Sequence, residues 1–100
     1  KLTISELKDK TVHAVAGIAN PDRFFNQLRK YGVNVIEHPF ADHHQFIQAD
    51  LEFADDFPVL MTEKDAVKCY SFHLHKCYFI SVKAALSMDL VDSIIGKLSR

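Results

Sequence analysis

Thr11 to Phe25 reads TVHAVAGIANPDRFF, and this stretch decides the fold. Val12, Ala14, Val15 and Ala16 make an apolar run with the composition of a buried strand, and it stops at Gly17. Asn20, Pro21 and Asp22 then spell a helix start. They offer a capping side chain, a proline at the first helical position, where no N–H is needed, and an acid near the positive end of the dipole. A strand feeding a helix through a short turn is the unit of an α/β sheet.

The remaining chain repeats this unit. The first helix is expected over Pro21 to Tyr31, with Phe24, Phe25, Leu28 and Tyr31 sharing a face and Gly32 placed to end it. Val33, Val35 and Ile36 make a second strand, followed by a loop from His38 to His44. Asp42 with Gln45 resembles a capping box, predicting a second helix from near His43 to about Asp56 that buries Phe46, Ala49, Phe53 and Ala54, with Pro58 closing it. Val59 to Met61 is apolar throughout, as a central parallel strand requires. Thr62 and Asp65 form another capping box, opening a helix through about Tyr70. Cys77 to Val82 reads as the fourth strand, and Ser87 caps a last helix carrying Met88, Val91, Ile94, Ile95 and Leu98 near a 3.6-residue period.

Connections of this length are too long for hairpins, so right-handed crossovers place helices on both faces. The expected fold is a small Rossmann-like three-layer α/β sandwich. Its four-stranded, mainly parallel sheet should run in the order second, first, third, fourth. Residues 11–100 form that domain, and Lys1 to Lys10, mostly polar, is expected to be a connector from a preceding domain.

Composition bounds the function. With 12 basic and 13 acidic residues the net charge is -1, which offers no electrostatic footprint for nucleic acid or an anionic membrane. Two cysteines are too few for a disulfide framework and point to a reduced, cytoplasmic setting. No apolar stretch approaches the roughly 20 residues of a membrane span.

Ligands of parallel sheets bind beyond the carboxyl ends of the strands. That rule collects three polar segments on one rim: Gly17 to Asn20, Asp42 to His44, and Thr62 to Asp65. Gly17-Ile18-Ala19-Asn20 lacks the glycines of a dinucleotide fingerprint; it is either a tight turn with Asn20 as cap or a backbone anion site at a helix start. Asp42, His43 and His44 are either a solvated capping loop or the source of a general base, since an imidazole exchanges protons near neutral pH. Adjacent side chains diverge, so a carboxylate orienting His43 should come from another loop or from outside the chain. Glu63 and Asp65 suit a helix dipole but repel a phosphate, leaving Lys64 to meet an anion. Cys69, His73, His75 and Cys77 lack the spacing of a zinc ribbon or finger and read as buried thiols and turn histidines.

VHAVAGIANPDRFF (Val12 to Phe25), ADHHQF (Ala41 to Phe46) and VLMTEKDAVKC (Val59 to Cys69) resemble the C-terminal domain of the tetraacyldisaccharide 4'-kinases, the lipid A 4'-kinases of Gram-negative bacteria. The resemblance covers about Lys10 to Val82. It implies transfer of a phosphoryl group from ATP, with Mg2+, to the 4'-hydroxyl of a tetraacyldisaccharide 1-phosphate. The P-loop and magnesium-binding acids would belong to an N-terminal domain, and this chain alone would be inactive.

The family's catalytic histidine, paired there with an aspartate of the other domain, falls on His43. Asn20, Asp42, His44, Thr62 and Lys64 would lie near substrate or nucleotide. Ala19 departs from a glycine common in the family, which makes the first turn less open. By the same resemblance the full-length protein would work at the cytoplasmic side of the inner membrane, attached through its own anchor, with this part soluble. The rival expectations are a free-standing nucleotide- or anion-binding module and a ligand-free interaction domain.

Overall fold

The computed structural model describes residues 2–69, 71, 72, 74, 76–80 and 94–98. Strand β1 (Leu2–Thr3) and a 3-10 helix (Ile4–Leu7) precede β2 (Thr11–Ala16), α1 (Pro21–Lys30) and β3 (Asn34–Pro39). A 3-10 helix at Gln48–Leu51 then precedes β4 (Val59–Thr62), α2 (Glu63–Ala66), β5 (Cys77–Ile80) and β6 (Ile94–Leu98). The sheet order is β1-β6-β5-β4-β2-β3. The strands β2 to β5 are mutually parallel, in the expected order with β2 between β3 and β4, while β6 runs antiparallel to both β5 and β1.

Alternation along β2 divides the core into two layers. On one face Val12, Ala14 and Ala16 pack with Leu60 and Ile80 against Phe24, Phe25 and Leu28 of α1 and against Ile4 and Leu7. On the other, Val15, Val59, Met61 and Cys77 meet Phe46, Leu51, Ala66 and Cys69. The result is the three-layer sandwich expected. Each fully buried Phe or Leu contributes roughly 1.5–3 kcal/mol, set against the conformational entropy lost on folding.

The first helix ends as predicted. Gly32 adopts φ +82° and its N–H donates to the Arg29 carbonyl at 3.0 Å. A Cβ there would meet Lys8 Cγ at 3.0 Å, the stem of a flexible side chain. Gly32→Ala is therefore expected to destabilise by about 1 kcal/mol, mainly through the left-handed backbone, as thermal unfolding would measure.

Several local expectations are corrected. Asn20 stands at the N-cap of α1 without a side-chain cap bond. Its ψ of 76° departs from the extended backbone that brings a capping oxygen over the first-turn amides. The helix expected from His43 to Asp56 is absent. His43 takes φ 64°, which an α-helix cannot accommodate, and only Gln48–Leu51 is helical, as 3-10. Phe46 and Leu51 are buried while Ala49 and Ala54 are exposed; anchors five residues apart do not share a helix stripe. The loop also starts later than expected, because β3 extends through His38 and Pro39.

The helix opened by Thr62 spans only Glu63–Ala66. Of the expected last helix, Ile94, Ile95 and Leu98 lie on β6, paired with β5 and β1, so among the described residues β6 and β1 extend the four parallel strands expected. Without β6 that side of β5 would leave backbone groups unpaired, and the β-branched Ile94 and Ile95 suit the strand that pairs with it. Ser87, Met88 and Val91 lie outside the described residues. Ile4 and Leu7, within the stretch read as a connector, are buried in the α1-side core.

Candidate functional site

The turns after β2, β3 and β4 meet at Gly17. Its N–H donates to Asp65 Oδ2 at 2.9 Å. A Cβ on it would lie 3.2 Å from the Phe46 ring and 3.4 Å from the Ala41 carbonyl oxygen. Glycine is the residue that permits this approach of three segments remote in the chain.

Asp65 holds the rim from inside. It is fully buried. Its N–H donates to Thr62 Oγ1 at 3.3 Å, completing the predicted cap of α2, while the Thr62 hydroxyl donates back to Asp65 Oδ2 at 3.2 Å. The second carboxylate oxygen, Oδ1, has no hydrogen bond among the described residues, and Lys68 Nζ stands 3.8 Å away. Thr62 is itself buried, so it serves the architecture of the rim.

The loop after β3 separates its two histidines. The left-handed backbone at His43 leaves its side chain 79% exposed, with Nε2 3.7 Å from Asp42 Oδ2, beyond hydrogen-bond reach. Neighbouring Asp42 is exposed as well. His44 turns inward, donating from Nε2 to Asp50 Oδ2 at 2.9 Å and stacking on Phe40 with ring centres 4.6 Å apart. The His44 hydrogen bond, then one from the Ile47 N–H, holds the Asp50 carboxyl below the usual range. Thus His44 braces the loop and His43 faces solvent. Asn20 and Lys64 are also exposed.

A second histidine cluster escaped the sequence reading. His13, at 4% exposure, bonds through Nε2 to Asp55 Oδ1 at 2.8 Å. Its Nδ1 lies 2.8 Å from His38 Nε2. The His13 ring stacks on Phe53 with centres 3.9 Å apart. These residues come from β2, β3 and the segment entering β4, at no recognisable spacing. The one available signal was a histidine within an apolar strand.

Cys69 and Cys77 are buried, free thiols, each pushed up to about 11 chiefly by burial, which leaves them unreactive near neutral pH. His73 and His75 lie outside the described residues. Among the described residues no three His, Cys, Asp or Glu side chains are grouped to hold a metal ion, and no helix is long and apolar enough to cross a membrane.

Comparison with known proteins matches residues 2–99 to the family model of tetraacyldisaccharide-1-P 4'-kinase. The chain is 47% identical over its whole length to the tetraacyldisaccharide 4'-kinase of Methylobacillus flagellatus, of which it covers 30%. It is 47% identical over 97 residues to that of Xanthomonas axonopodis pv. citri, covering 28%. Against that of Coxiella burnetii it is 49% identical over 86 residues, covering 86% of this chain and 26% of the relative. The chain thus spans less than a third of the length of these curated relatives. No solved structure matches it significantly. With its parallel sheet, its converged rim and a family match across nearly all of its residues, the chain belongs to the tetraacyldisaccharide-1-P 4'-kinase family.

Proposed function

We propose that this chain is the part of a tetraacyldisaccharide 4'-kinase that presents His43 to the reacting groups, within an enzyme transferring the ATP γ-phosphate to the 4'-hydroxyl of a tetraacyldisaccharide 1-phosphate. The observation that carries this reading is the contrast between two neighbouring histidines. His44 is spent on Asp50, whereas His43 stands exposed at the rim with no hydrogen bond among the described residues.

An imidazole so placed exchanges protons with a hydroxyl that docks against it, and a carboxylate from elsewhere in the enzyme would set its tautomer. ATP and Mg2+ would be held mainly by another part of the protein. This chain contains no G-x-x-x-x-G-K-[ST] sequence, and among the described residues no three His, Cys, Asp or Glu side chains are grouped to hold a metal ion. Both are assigned to an N-terminal P-loop domain of the same protein, with the membrane engaged only through the full-length protein at its cytoplasmic side.

The chain's own residues would orient the acceptor hydroxyl, accept or hold its proton at His43, and exclude water as the domains close. Asn20, Asp42 and Lys64 would lie beside substrate or nucleotide. Phosphoryl transfer depends mainly on such positioning and charge neutralisation. The test is a pair of assays with labelled ATP and the lipid disaccharide 1-phosphate. The full-length protein should label the 4'-position and the 100-residue chain alone should turn over no ATP. Turnover by the chain alone would refute the assignment.

A further inference from the structure

We propose that the Asp55–His13–His38 chain is a positioning latch for the loop bearing His43, fastening the far end of the 40–58 excursion to the sheet. The inference rests on the function proposed above. This excursion leaves β3 beside the rim, carries His43, and returns to β4. Near its start it is pinned by the Phe40 N–H on the Ala16 carbonyl at 2.8 Å, and in its middle by His44 on Asp50. Its return limb, 52–58, has no regular secondary structure; its end is tied to the sheet by the His13 N–H on the Pro58 carbonyl at 2.9 Å, and before that point it is held to the sheet by side chains. Phe53 lies flat on the His13 ring and Asp55 bonds to His13. Asp55 also accepts the Phe57 N–H at 3.0 Å, so one carboxylate ties the limb both to itself and to the sheet.

The hydrogens along this chain follow from its geometry. Asp55 is ionised and only accepts, its carboxyl held low first by the His13 hydrogen bond, so His13 Nε2 carries a hydrogen. One further hydrogen then lies between the two imidazoles. It sits on His38 Nε2 or on His13 Nδ1, and the link needs only one. A second would oppose two N–H groups across 2.8 Å and open the link.

The charges acting on His38 are His13 and Asp55. Nearby Glu37 is paired with Arg29, and Asp56 with Lys76. Burial, then His13, pushes the His38 pKa below its ordinary value against the opposing pull of Asp55. The folded state therefore binds fewer protons than the unfolded one. The latch is intact above about pH 6.5, the unfolded value, and is lost as pH falls through the lower folded value.

The test is hydrogen exchange and steady-state kinetics on the full-length protein carrying His13→Leu or Asp55→Ala. The second change is at an exposed residue and removes no apolar packing, only the acceptor of His13 Nε2. Exchange protection of the Asp50 and Glu52 amides should fall at least tenfold in both variants, and that of the Phe57 amide in His13→Leu, with β2 and β4 unchanged. kcat should fall at least fivefold, with KM for ATP moving less than twofold. Protection of the same amides in the unsubstituted protein should drop as pH falls below about 6.5, and this dependence should vanish in His13→Leu.

Unchanged protection in both variants, protection insensitive to pH in the unsubstituted protein, or lost protection with kcat intact would each overturn the latch. Exchange reads the limb without passing through catalysis. If His43→Ala leaves turnover intact, it is the proposed function that falls, and the exchange result still reports on the latch.

Discussion

Replacing His43 with alanine in the full-length protein is expected to lower kcat about 100-fold or more, the usual scale for losing a general acid-base group, with almost no loss of stability. The two halves of this expectation have separate physical origins. The side chain is 79% exposed and makes no hydrogen bond among the described residues, so removing it deletes no packing. Its backbone is left-handed, a conformation glycine adopts freely and L-residues pay for at roughly 1–2 kcal/mol. His43→Gly is therefore expected to lose the same turnover while holding or gaining stability. Parallel measurement of kcat and thermal unfolding separates a chemical role from a structural one. A variant that keeps its turnover would assign His43 to loop geometry alone.

Asp65→Ala should give the largest stability loss of any single change at the rim, about 3 kcal/mol. Its carboxylate accepts from the Gly17 N–H and the Thr62 hydroxyl, both at buried residues, and hydrogen bonds to a charged group contribute roughly 1.5–3 kcal/mol each. Alanine would leave that amide without an acceptor. Part of the loss is offset because the variant no longer buries a carboxylate whose second oxygen lacks a hydrogen bond. Asp65→Asn keeps an acceptor oxygen for Gly17 and should recover part of the loss. Denaturant unfolding of the two variants checks the order. Equal stability of Asp65→Ala and the unsubstituted protein would show that the three turns converge without this carboxylate.

The fold was legible where local chemistry and tertiary packing ask for the same thing. Val12 to Ala16, Pro21 to Tyr31 and Val59 to Met61 satisfy strand or helix preference and core burial together, and each formed as expected with only small shifts at its ends. Prediction failed where the two demands diverge. From His43 to Asp56 the residues suggest a helix, but Phe46, Leu51 and Phe53 must reach one sheet face while His43 points away, and an irregular path meets all of these requirements. In Ile94 to Leu98 a helical period coincides with β-branched residues, and pairing with β5 selected the strand.

The convergence of the three turns was inferable from strand direction alone, since parallel strands put their following loops on one side. Asp65 illustrates the limit of that inference. Its place in a capping box was readable, but its burial and its bond to Gly17 were not.

By itself the sequence determined the α/β alternation, the order of the parallel strands and the family, because these follow from periodicity, connection length and motifs that are local in the chain. Only the tertiary structure decided that His44 is tied to Asp50 while His43 stays exposed, with Asp42 3.7 Å away. It alone brought Asp65 to Gly17, and joined Asp55, His13 and His38 across three segments. Those relations depend on the register between strands and on which faces meet, and contacts between residues 25 to 48 positions apart leave no pattern in a linear chain.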